Sequence, residues 1–358
     1  MILSATKNRE QWIDIISKFP KKLQDIYFHP DYVSLNCNKY NSEGFLFYNI
    51  DEDKIWINPF IKIKIPSFFE VNDKSFYDLE TAYGYGGPIS NVLDPSFISL
   101  SNKIFMEWTN NNNIVSEFVR FHPLFDTKIY TDSNIEILDD RVTCSLELNK
   151  VNQEYSPFKS KIKNMLKRAK KETKFYISKE RKHFSQFKKL YLNLMLDKNA
   201  EKETFFSKSY FAKLFELILK NGFMSIIEDL QGNIIAIGVF LNGKESCHYH
   251  LSASKNYRLP GINNLLIYNA AIYAKKKNLN ILHLGGGNLN NPKDNLFKFK
   301  NSMSTQNHIY NIGKRINNPA LYKKFKNAWK KKYPILYEKY SKRLLCYHIN
   351  TEIVDTCI

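Results

Sequence analysis

Residues 234–264 read IIAIGVFLNGKESCHYHLSASKNYRLPGINN, and this stretch carries the clearest evidence for the fold. Two runs rich in β-branched and aromatic residues flank Asn242-Gly243, a pair that favours a tight β-hairpin because both residues tolerate positive φ. A helical pattern follows from about Asn263 to Lys277, and a short buried strand is predicted at Ile281–Leu284. Strands that alternate with a helix in this way predict an α/β architecture.

The first half of the chain repeats the same plan in a weaker form. Strands are predicted at Phe45–Ile50 and Ile55–Ile65, a helix at Pro95–Asn110 and a further strand at Ile114–Phe121. The remaining predictions are strands at Arg141–Leu148, Phe223–Glu228 and His308–Gly313, helices at Pro157–Lys174, Phe184–Leu196, Lys208–Lys220 and from near Pro319, and a loop over Asp132–Asp140. We therefore expect two small α/β domains in tandem with a cleft between them.

The composition narrows the classes of protein. The 358 residues are 43% hydrophobic and 15% aromatic, which is too apolar for a disordered chain and enough for two cores. A net charge of +18 favours an anionic partner such as phosphate, nucleic acid or an anionic membrane. Five scattered cysteines without a CxxC spacing argue against a zinc module or a disulfide scaffold, so no metal site is predicted. Since the sequence contains no signal-like or membrane-spanning apolar run, we expect a cytoplasmic protein.

The segment that leads into the helix near Asn263 is a candidate anion site. Backbone N–H groups at a helix N-terminus, together with the helix dipole, attract phosphate. Arg258 can add a bidentate contact, and Gly261, Asn263 and Asn264 lie at the predicted start of the helix. An Asn-capped helix after an ordinary turn is the alternative interpretation.

Two glycine-rich segments are also candidates. Gly285-Gly286-Gly287 directly follows the buried strand, where glycine permits a sharp turn or the close approach of a ligand. In the first half, Tyr83-Gly84-Tyr85-Gly86-Gly87-Pro88 alternates tyrosine with glycine. Such tyrosines can line a wall on which a sugar or base stacks while their hydroxyls bind polar groups. A turn with surface tyrosines is the alternative.

Five motifs in sequence order resemble one family. They are YGYGGP (Tyr83–Pro88), EFVRFHP (Glu117–Pro123), YHLSAS (Tyr249–Ser254), LHLGGG (Leu282–Gly287) and LFKFK (Leu296–Lys300). Together they resemble the Fem-type acyltransferases, a GNAT-related superfamily that includes peptidoglycan-bridge aminoacyltransferases and relatives associated with surface polysaccharides. The resemblance extends over roughly residues 26–329 and implies tandem GNAT-like domains, each a mixed central sheet flanked by helices. It implies an acceptor domain at 1–150, a donor and catalytic domain at 151–345, and a tail at 346–358.

The resemblance also implies roles for individual residues. Phe299 and Lys300 match the family's Phe-Lys pair, whose lysine is implicated in handling the donor and the charge of the transition state. The residues expected to bind the acceptor are Tyr83, Tyr85, Gly86, Arg120, His122 and Tyr249. The residues expected to bind the donor are Arg258, Gly261, Asn263 and Asn264. The spacing Arg258-x-x-Gly261 is similar to the pyrophosphate loop of GNAT acyltransferases, which bind coenzyme A, although Asn263 stands where that loop continues with Gly or Ala.

The chemistry of acyl transfer adds further candidates. The reaction passes through a tetrahedral oxyanion, which a lysine ammonium and backbone N–H groups beside a glycine turn can stabilise. His250 and His122 are candidate bases for the attacking amine, with a packing role as the alternative for each. Positioning alone also accelerates such transfers, so a dedicated base is not required. The sequence has no Ser/His/Asp or Cys/His spacing that indicates a covalent intermediate, and we expect direct attack.

The sequence therefore predicts an acyltransferase. It is expected to move an acyl or aminoacyl group to an amino group of a nucleotide- or lipid-linked sugar in cell-envelope or surface-polysaccharide biosynthesis. The donor is either acyl-CoA or aminoacyl-tRNA, and no tightly bound cofactor is expected. Further candidate partners are tRNA and an anionic membrane surface. The alternative is a non-catalytic protein that binds nucleic acid or a membrane through the lysine-rich faces at 159–174 and 323–332.

Overall fold

The computed structural model describes residues 1–37, 41–66, 74–200, 204–255 and 259–349. Within this part of the chain two compact units are present. Unit 1 contains residues 1–23, 27–140 and 310–349, and unit 2 contains residues 24–26 and 141–309. The division thus departs from the predicted boundary at residue 150, and residues 310–349 belong to unit 1 rather than to the second domain and a tail.

Unit 1 is a mixed sheet flanked by helices. Its elements in chain order are β1 (Ile2–Ser4), α1 (Arg9–Ser17), α2 (Pro30–Leu35), β2 (Ser42–Asp51), β3 (Lys54–Lys64), β4 (Tyr77–Glu80), β5 (Ile89–Ser90), α3 (Pro95–Asn111), β6 (Ile114–Arg120), the start of β7 (Glu136–Glu147), the end of β13 (Gln306–Ile316), α9 (Pro319–Lys332) and α10 (Pro334–Tyr340). The strand order is β1-β2-β3-β4-β6-β13, and β5 pairs with β3. The pairs are antiparallel except β4 with β6, which α3 connects in parallel.

The core of unit 1 is aromatic. Helix α3 confirms the predicted helix at Pro95–Asn110 and presents Phe105 to the sheet, where its ring centroid lies 5.1 Å from that of Phe47 and 5.9 Å from that of Trp56. Trp56 is fully buried, and its indole N–H donates to the Tyr130 carbonyl. The aromatic and β-branched runs that predicted β2 and β3 therefore supply the aromatic residues that pack against α3.

The C-terminal segment belongs to unit 1 because its apolar residues have their packing partners there. Strand β13 pairs with β6 over Ile312–Ile316. Phe325 and Trp329 of α9 are fully buried and pack with Val115 of β6 and with Tyr347. Burial of two large aromatic side chains stabilises this arrangement by several kcal/mol, roughly 3 for each side chain.

Unit 2 is a second mixed sheet with helices. Its elements in chain order are the remainder of β7, α4 (Ser160–Glu172), β8 (Thr173–Ser178), α5 (Arg181–Asp197), α6 (Lys208–Asn221), β9 (Gly222–Asp229), β10 (Ile234–Asn242), β11 (Ser246–Ser254), α7 (Ile262–Lys276), β12 (Ile281–Gly286), α8 (Asn295–Ser302) and the start of β13. The strand order is β7-β12-β11-β10-β9-β8, with β11 and β12 parallel and the other pairs antiparallel. The predicted hairpins and the helix after them are confirmed.

Two predictions about local structure are wrong. Residues 136–140, predicted as part of a loop, begin the long strand β7. The helix predicted to Lys174 ends at Glu172, and the β-branched and aromatic run Thr173–Ser178 forms β8, which pairs with β9 at the edge of the sheet. The basic amphipathic pattern continues from α4 into β8 without a break in the sequence. The strand is distinguished from the helix only by its pairing with β9. Within the described residues, no helix is both long enough and apolar enough to cross a bilayer.

Candidate functional site

Among the described residues of unit 2, no side chain caps the N-terminus of α7. Gly261 occupies the N-cap position with φ +96° and provides no side chain to cap the first turn. The N–H groups of Ile262, Asn263 and Asn264 have no intrahelical acceptor at this end of the helix and carry the positive end of its dipole. A Cβ at residue 261 would lie 2.8 Å from the Met165 carbonyl oxygen of α4, so glycine is required both by its φ and by this close approach.

A cavity of about 160 Å³ lies at this helix end. It is lined by Ser254, Lys255, Leu259, Gly261, Ile262, Asn263, Asn264 and Phe299. Three of the four residues predicted to bind the donor therefore meet here with the predicted catalytic Phe299. The fourth, Arg258, lies outside the described residues. Lys255 is exposed at the cavity and adds a positive charge.

The two parallel strands beside the cavity separate along their length. In their described residues, β11 and β12 pair only over Ser246–His248 and Ile281–His283. Beyond this point β11 continues to Ser254 on the β10 side, while Gly285 and Gly286 of β12 pair with β7. The backbone edge of β11 after His248 is therefore not used by β12, and an extended ligand can hydrogen-bond to it as an added strand would.

Lys300 lies on α8, directly after Phe299. Its Nζ donates to the Gly286 carbonyl oxygen at 2.8 Å, at the end of β12. Arg141 lies close by, and its Nη1 donates to the carbonyl oxygens of Gly287 and Asn288 at 3.0 Å each. An ammonium has three N–H donors, so the bond to Gly286 leaves Lys300 able to donate to a second oxygen. The glycine turn and its flanking cations thus form one cluster.

Burial changes the ionisation of Lys300. Desolvation of the half-buried side chain, with the nearby positive charge of Arg141 as a smaller cause, lowers the pKa of Lys300 to about 8 from its ordinary 10.5. The carboxylate of Asp294, which opposes this shift, caps α8 through the Phe297 N–H at 2.8 Å. Lys300 is therefore protonated at neutral pH but titrates within an accessible range.

The two β11 residues predicted for the site are held by protein partners. His250 Nε2 lies 2.8 Å from the Tyr210 hydroxyl, and burial, with His248 nearby, lowers the pKa of His250 to about 3. Such an imidazole stays neutral and is a weak proton acceptor, so its predicted role as a base is less supported than a positioning role. The Tyr249 hydroxyl donates to Ser252 Oγ at 2.6 Å, and burial raises the pKa of Tyr249 to about 12.

The glycine–tyrosine motif lies in unit 1 and combines one exposed ring with one packed ring. The Tyr83 side chain is 57% exposed, and its carbonyl oxygen accepts from the Tyr32 hydroxyl at 2.6 Å. The Tyr85 ring centroid lies 5.3 Å from that of Tyr27 and 5.2 Å from that of Tyr310. Gly86 is buried and is bonded through its backbone to Arg120 and His122. The motif thus presents Tyr83 on a rigid aromatic base.

The EFVRFHP motif lies next to it in unit 1. Arg120 Nη1 donates to the Thr81 carbonyl oxygen at 2.8 Å and to Glu80 Oε2 at 3.1 Å. His122 is buried, and its ring stacks on Phe125 at 4.2 Å between centroids. The five unit 1 residues predicted to bind the acceptor therefore lie together. Tyr83 is exposed, Tyr85 and Arg120 are partly exposed, and Gly86 and His122 are buried. Catalysis by His122 stays a prediction.

Comparison with known proteins identifies the fold. No protein-family model and no curated protein matches the sequence. The structure of FemX matches with a TM-score of 0.65 and 12% identity over 90% of this chain and 99% of FemX. L-PGS from Bacillus licheniformis matches with a TM-score of 0.57 and 13% identity over 86% of this chain and 91% of that one. The C-terminal domain of a protein assigned as a lysylphosphatidylglycerol synthetase, from Agrobacterium fabrum, matches with a TM-score of 0.56 and 11% identity. This match covers 88% of this chain and 93% of that one.

The chain has the Fem-type fold. The resemblance predicted from five motifs is thereby confirmed at the level of the fold, together with the predicted class of mixed α/β sheets flanked by helices. Identities of 11–13% carry the likeness no further than the fold.

Within the Fem-type fold the two units repeat one plan, but their corresponding helix ends differ. Helix α3 joins the parallel strands β4 and β6 as α7 joins β11 and β12. Asp94 caps α3, because its Oδ1 accepts from the N–H groups of Ser96 and Phe97 at 3.0 and 3.2 Å, and its Oδ2 accepts from Lys54 at 2.7 Å. A carboxylate thus fills the position that an anionic ligand would use, whereas Gly261 leaves α7 open.

The sequence did not reveal several residues near the site. Lys255 and Arg141 belong to no motif and are recognised only by their position beside the cavity and the glycine turn. Asp25 accepts from His248 Nε2 at 2.7 Å and also binds Ser246, all three being buried within unit 2. Asp25 and His248 are 223 positions apart, so no spacing pattern could have paired them.

Proposed function

We propose that the protein is an acyltransferase that moves an acyl or aminoacyl group from a phosphate-bearing activated donor to an amine. One observation carries the proposal. The cavity at the uncapped N-terminus of α7 is bounded by Phe299, and the next residue, Lys300, places its ammonium on the glycine turn that ends β12. Phe299 borders the candidate anion site and Lys300 provides the cation that can polarise a carbonyl, and the two are consecutive residues of α8.

The donor is assigned to unit 2. Its phosphate binds the first-turn N–H groups of α7 and the ammonium of Lys255. The segment between phosphate and carbonyl lies extended along the backbone edge of β11 that β12 does not use. This assignment suits acyl-CoA, and it also suits the phosphate-rich end of an aminoacyl-tRNA. Exposed Lys167, Lys170 and Lys171 of α4, whose Met165 carbonyl lies against Gly261, provide further phosphate contacts for a nucleic acid.

Lys300 stabilises the charge that develops during transfer. The amine attacks the donor carbonyl, the carbonyl oxygen becomes an oxyanion, and the ammonium of Lys300 donates to it. The leaving group departs when the oxyanion collapses, and the proton from the amine passes to water or to the leaving group. The Gly286 carbonyl fixes Nζ before the substrate arrives, so little reorganisation is needed at the moment of reaction.

The acceptor is assigned to an amino group on a nucleotide- or lipid-linked sugar. Tyr83 and Tyr85 in unit 1 support this assignment, because an exposed ring on a rigid base suits the apolar face of a sugar. Arg120 lies beside them and is oriented by Glu80. A role in cell-envelope or surface-polysaccharide biosynthesis follows from this class of acceptor.

A thermal-shift titration distinguishes the two donors. A ligand raises stability by RT ln(1 + [L]/Kd), about 2.7 kcal/mol at a concentration 100 times Kd. We expect the melting temperature to rise with one donor, acyl-CoA or aminoacyl-tRNA, and to rise less with that donor in Lys255→Ala. An uncharged tRNA and free CoA separate recognition of the phosphates from recognition of the acyl group. Unchanged melting with both donors would contradict the proposed donor site.

The rate should also depend on pH through Lys300. Since Lys300 acts in its protonated form and burial lowers its pKa to about 8, we expect kcat to fall as pH rises through about 8. In Lys300→Arg the guanidinium stays charged, so the alkaline decrease should disappear even if the maximal rate is lower. The measurement is single-turnover transfer between pH 6 and 10. A rate that rises through pH 8 in the wild type but not in Lys300→Arg would show instead that Lys300 acts as a base, because deprotonation of the acceptor amine affects both proteins alike.

A further inference from the structure

The α9–α10 hairpin, residues 319–343, is a strongly basic segment of unit 1. It contains eight lysines and one arginine against a single glutamate, Glu338. It also contains six aromatic residues, so its composition is both basic and aromatic. Nothing in the proposed acyl transfer uses this hairpin.

The hairpin is anchored on unit 1 by one face. Phe325 and Trp329 are fully buried, and the Trp329 indole N–H donates to the Ile349 carbonyl oxygen at 2.8 Å. The Tyr322 hydroxyl donates to the Leu344 carbonyl oxygen at 2.8 Å. The hairpin is therefore a rigid part of the unit, and its opposite face has a fixed orientation.

The opposite face presents cations and one large apolar side chain. Lys323, Lys330 and Lys331 are exposed and lie on the side of α9 away from Phe325 and Trp329. At the corner between the helices, Ile335 is 81% exposed, the largest exposed fraction among the large hydrophobic side chains of the described residues. Lys330 lies over the Tyr337 ring at 4.9 Å and Lys339 over the Tyr340 ring at 4.8 Å.

We propose that the α9–α10 hairpin docks unit 1 on an anionic membrane surface. The exposed lysines attract acidic lipid headgroups, and Ile335 enters the apolar layer below them. This combination favours a bilayer over a nucleic acid, because a phosphate backbone offers Ile335 no apolar environment. The surface is independent of the donor site in unit 2.

Vesicle binding tests the proposal. The full chain is sedimented with vesicles of phosphatidylcholine alone or mixed with phosphatidylglycerol, and binding is expected only with the anionic lipid and to weaken with salt. Each basic residue near such a surface strengthens binding about fivefold, so replacing Lys323, Lys330 and Lys331 by Gln should weaken it about a hundredfold. Ile335→Ser should weaken binding at every salt concentration, since its contribution is apolar.

A matched triple variant makes the test specific. Lys167, Lys170 and Lys171 of α4 are also exposed, and replacing them by Gln removes the same charge from unit 2. We expect this variant to bind vesicles like the wild type. Equal losses in the two triple variants, or vesicle binding that is insensitive to Ile335→Ser and to the hairpin lysines, would overturn the proposal. If the protein binds an RNA duplex of mixed sequence through the hairpin lysines but does not bind vesicles, the surface belongs to a nucleic acid instead.

Failure here is distinguishable from failure of the proposed function. Transfer between a soluble donor and a soluble acceptor should be unchanged in the hairpin variants. Loss of vesicle binding with normal transfer confirms that the hairpin is separate from the site of transfer. If a lysine variant loses both functions and melts at a lower temperature, it is unfolded, and Ile335→Ser then decides the question because it alters only an exposed side chain.

Discussion

Lys300→Met should lower kcat/KM for acyl transfer by roughly 10²–10³-fold, the loss typical of removing one donor to a developing oxyanion. Methionine keeps an unbranched side chain of similar length but cannot donate to a carbonyl oxygen. The charged form of Lys300 is destabilised by burial, since its pKa is lowered to about 8, so the substitution should leave the melting temperature unchanged or raise it slightly. Reduced activity with retained stability separates catalysis from folding.

The matched control is Lys298→Met. Lys298 lies on the same helix, α8, carries the same charge and is exposed. Its replacement should leave kcat/KM within about twofold of the wild type, because an exposed charge contributes little to a site that it does not face. The measurement is steady-state transfer with the donor identified by thermal shift. Equal losses in the two variants would indicate a general effect of charge, and full activity in Lys300→Met would remove Lys300 from the mechanism.

Much of the fold could be predicted from the sequence because its signals are local. Asn242-Gly243 defines one hairpin, and the spacing of Phe97, Ile98 and Phe105 defines α3. The C-terminal segment could not be assigned to unit 1 in this way. Its place depends on Phe325 and Trp329 meeting residues such as Val115, and no periodicity within α9 indicates which sheet it covers.

The candidate site likewise contains residues that the sequence predicted and residues that it did not reveal. Gly261, Asn263 and Asn264 were predicted from the local sequence signals of a helix start, and Phe299 was predicted from the resemblance to the Fem-type acyltransferases. All four residues line one cavity. Lys255, Arg141 and the Asp25–His248 pair were missed, since each depends on a contact between distant segments. The low pKa of His250 likewise follows from burial and from His248, which a sequence does not state.

The contrast between the two helix ends adds a structural reason for the proposed assignment of the donor to unit 2, which the sequence motifs had already predicted. Both α3 and α7 connect parallel strands, and both begin with residues typical of helix starts. The difference is that Asp94 brings its own carboxylate to α3 and Lys54 neutralises it, while Gly261 brings nothing to α7. An anion is therefore already present at one site and must be supplied at the other.

This difference can be reproduced in unit 2 by Asn263→Asp. The new carboxylate lies in the first turn of α7, where it interacts favourably with the helix dipole and should stabilise the free protein by about 0.3–1 kcal/mol. The same charge repels the donor phosphate at the cavity, so donor affinity should fall by tenfold or more. Opposite effects on stability and on binding are not expected of a substitution that merely disturbs packing.

Asn263→Gln is the control for Asn263→Asp, because residue 263 is exposed and glutamine adds bulk without charge. Donor Kd is measured by calorimetry and the melting temperature without ligand by scanning calorimetry. We expect the ratio of Kd values for Asp and Gln to shrink as salt is raised, since repulsion between the carboxylate and the phosphate is screened. If Asn263→Asp binds the donor as tightly as Asn263→Gln at low salt, the phosphate does not lie at α7, and the donor must reach Lys300 by another route.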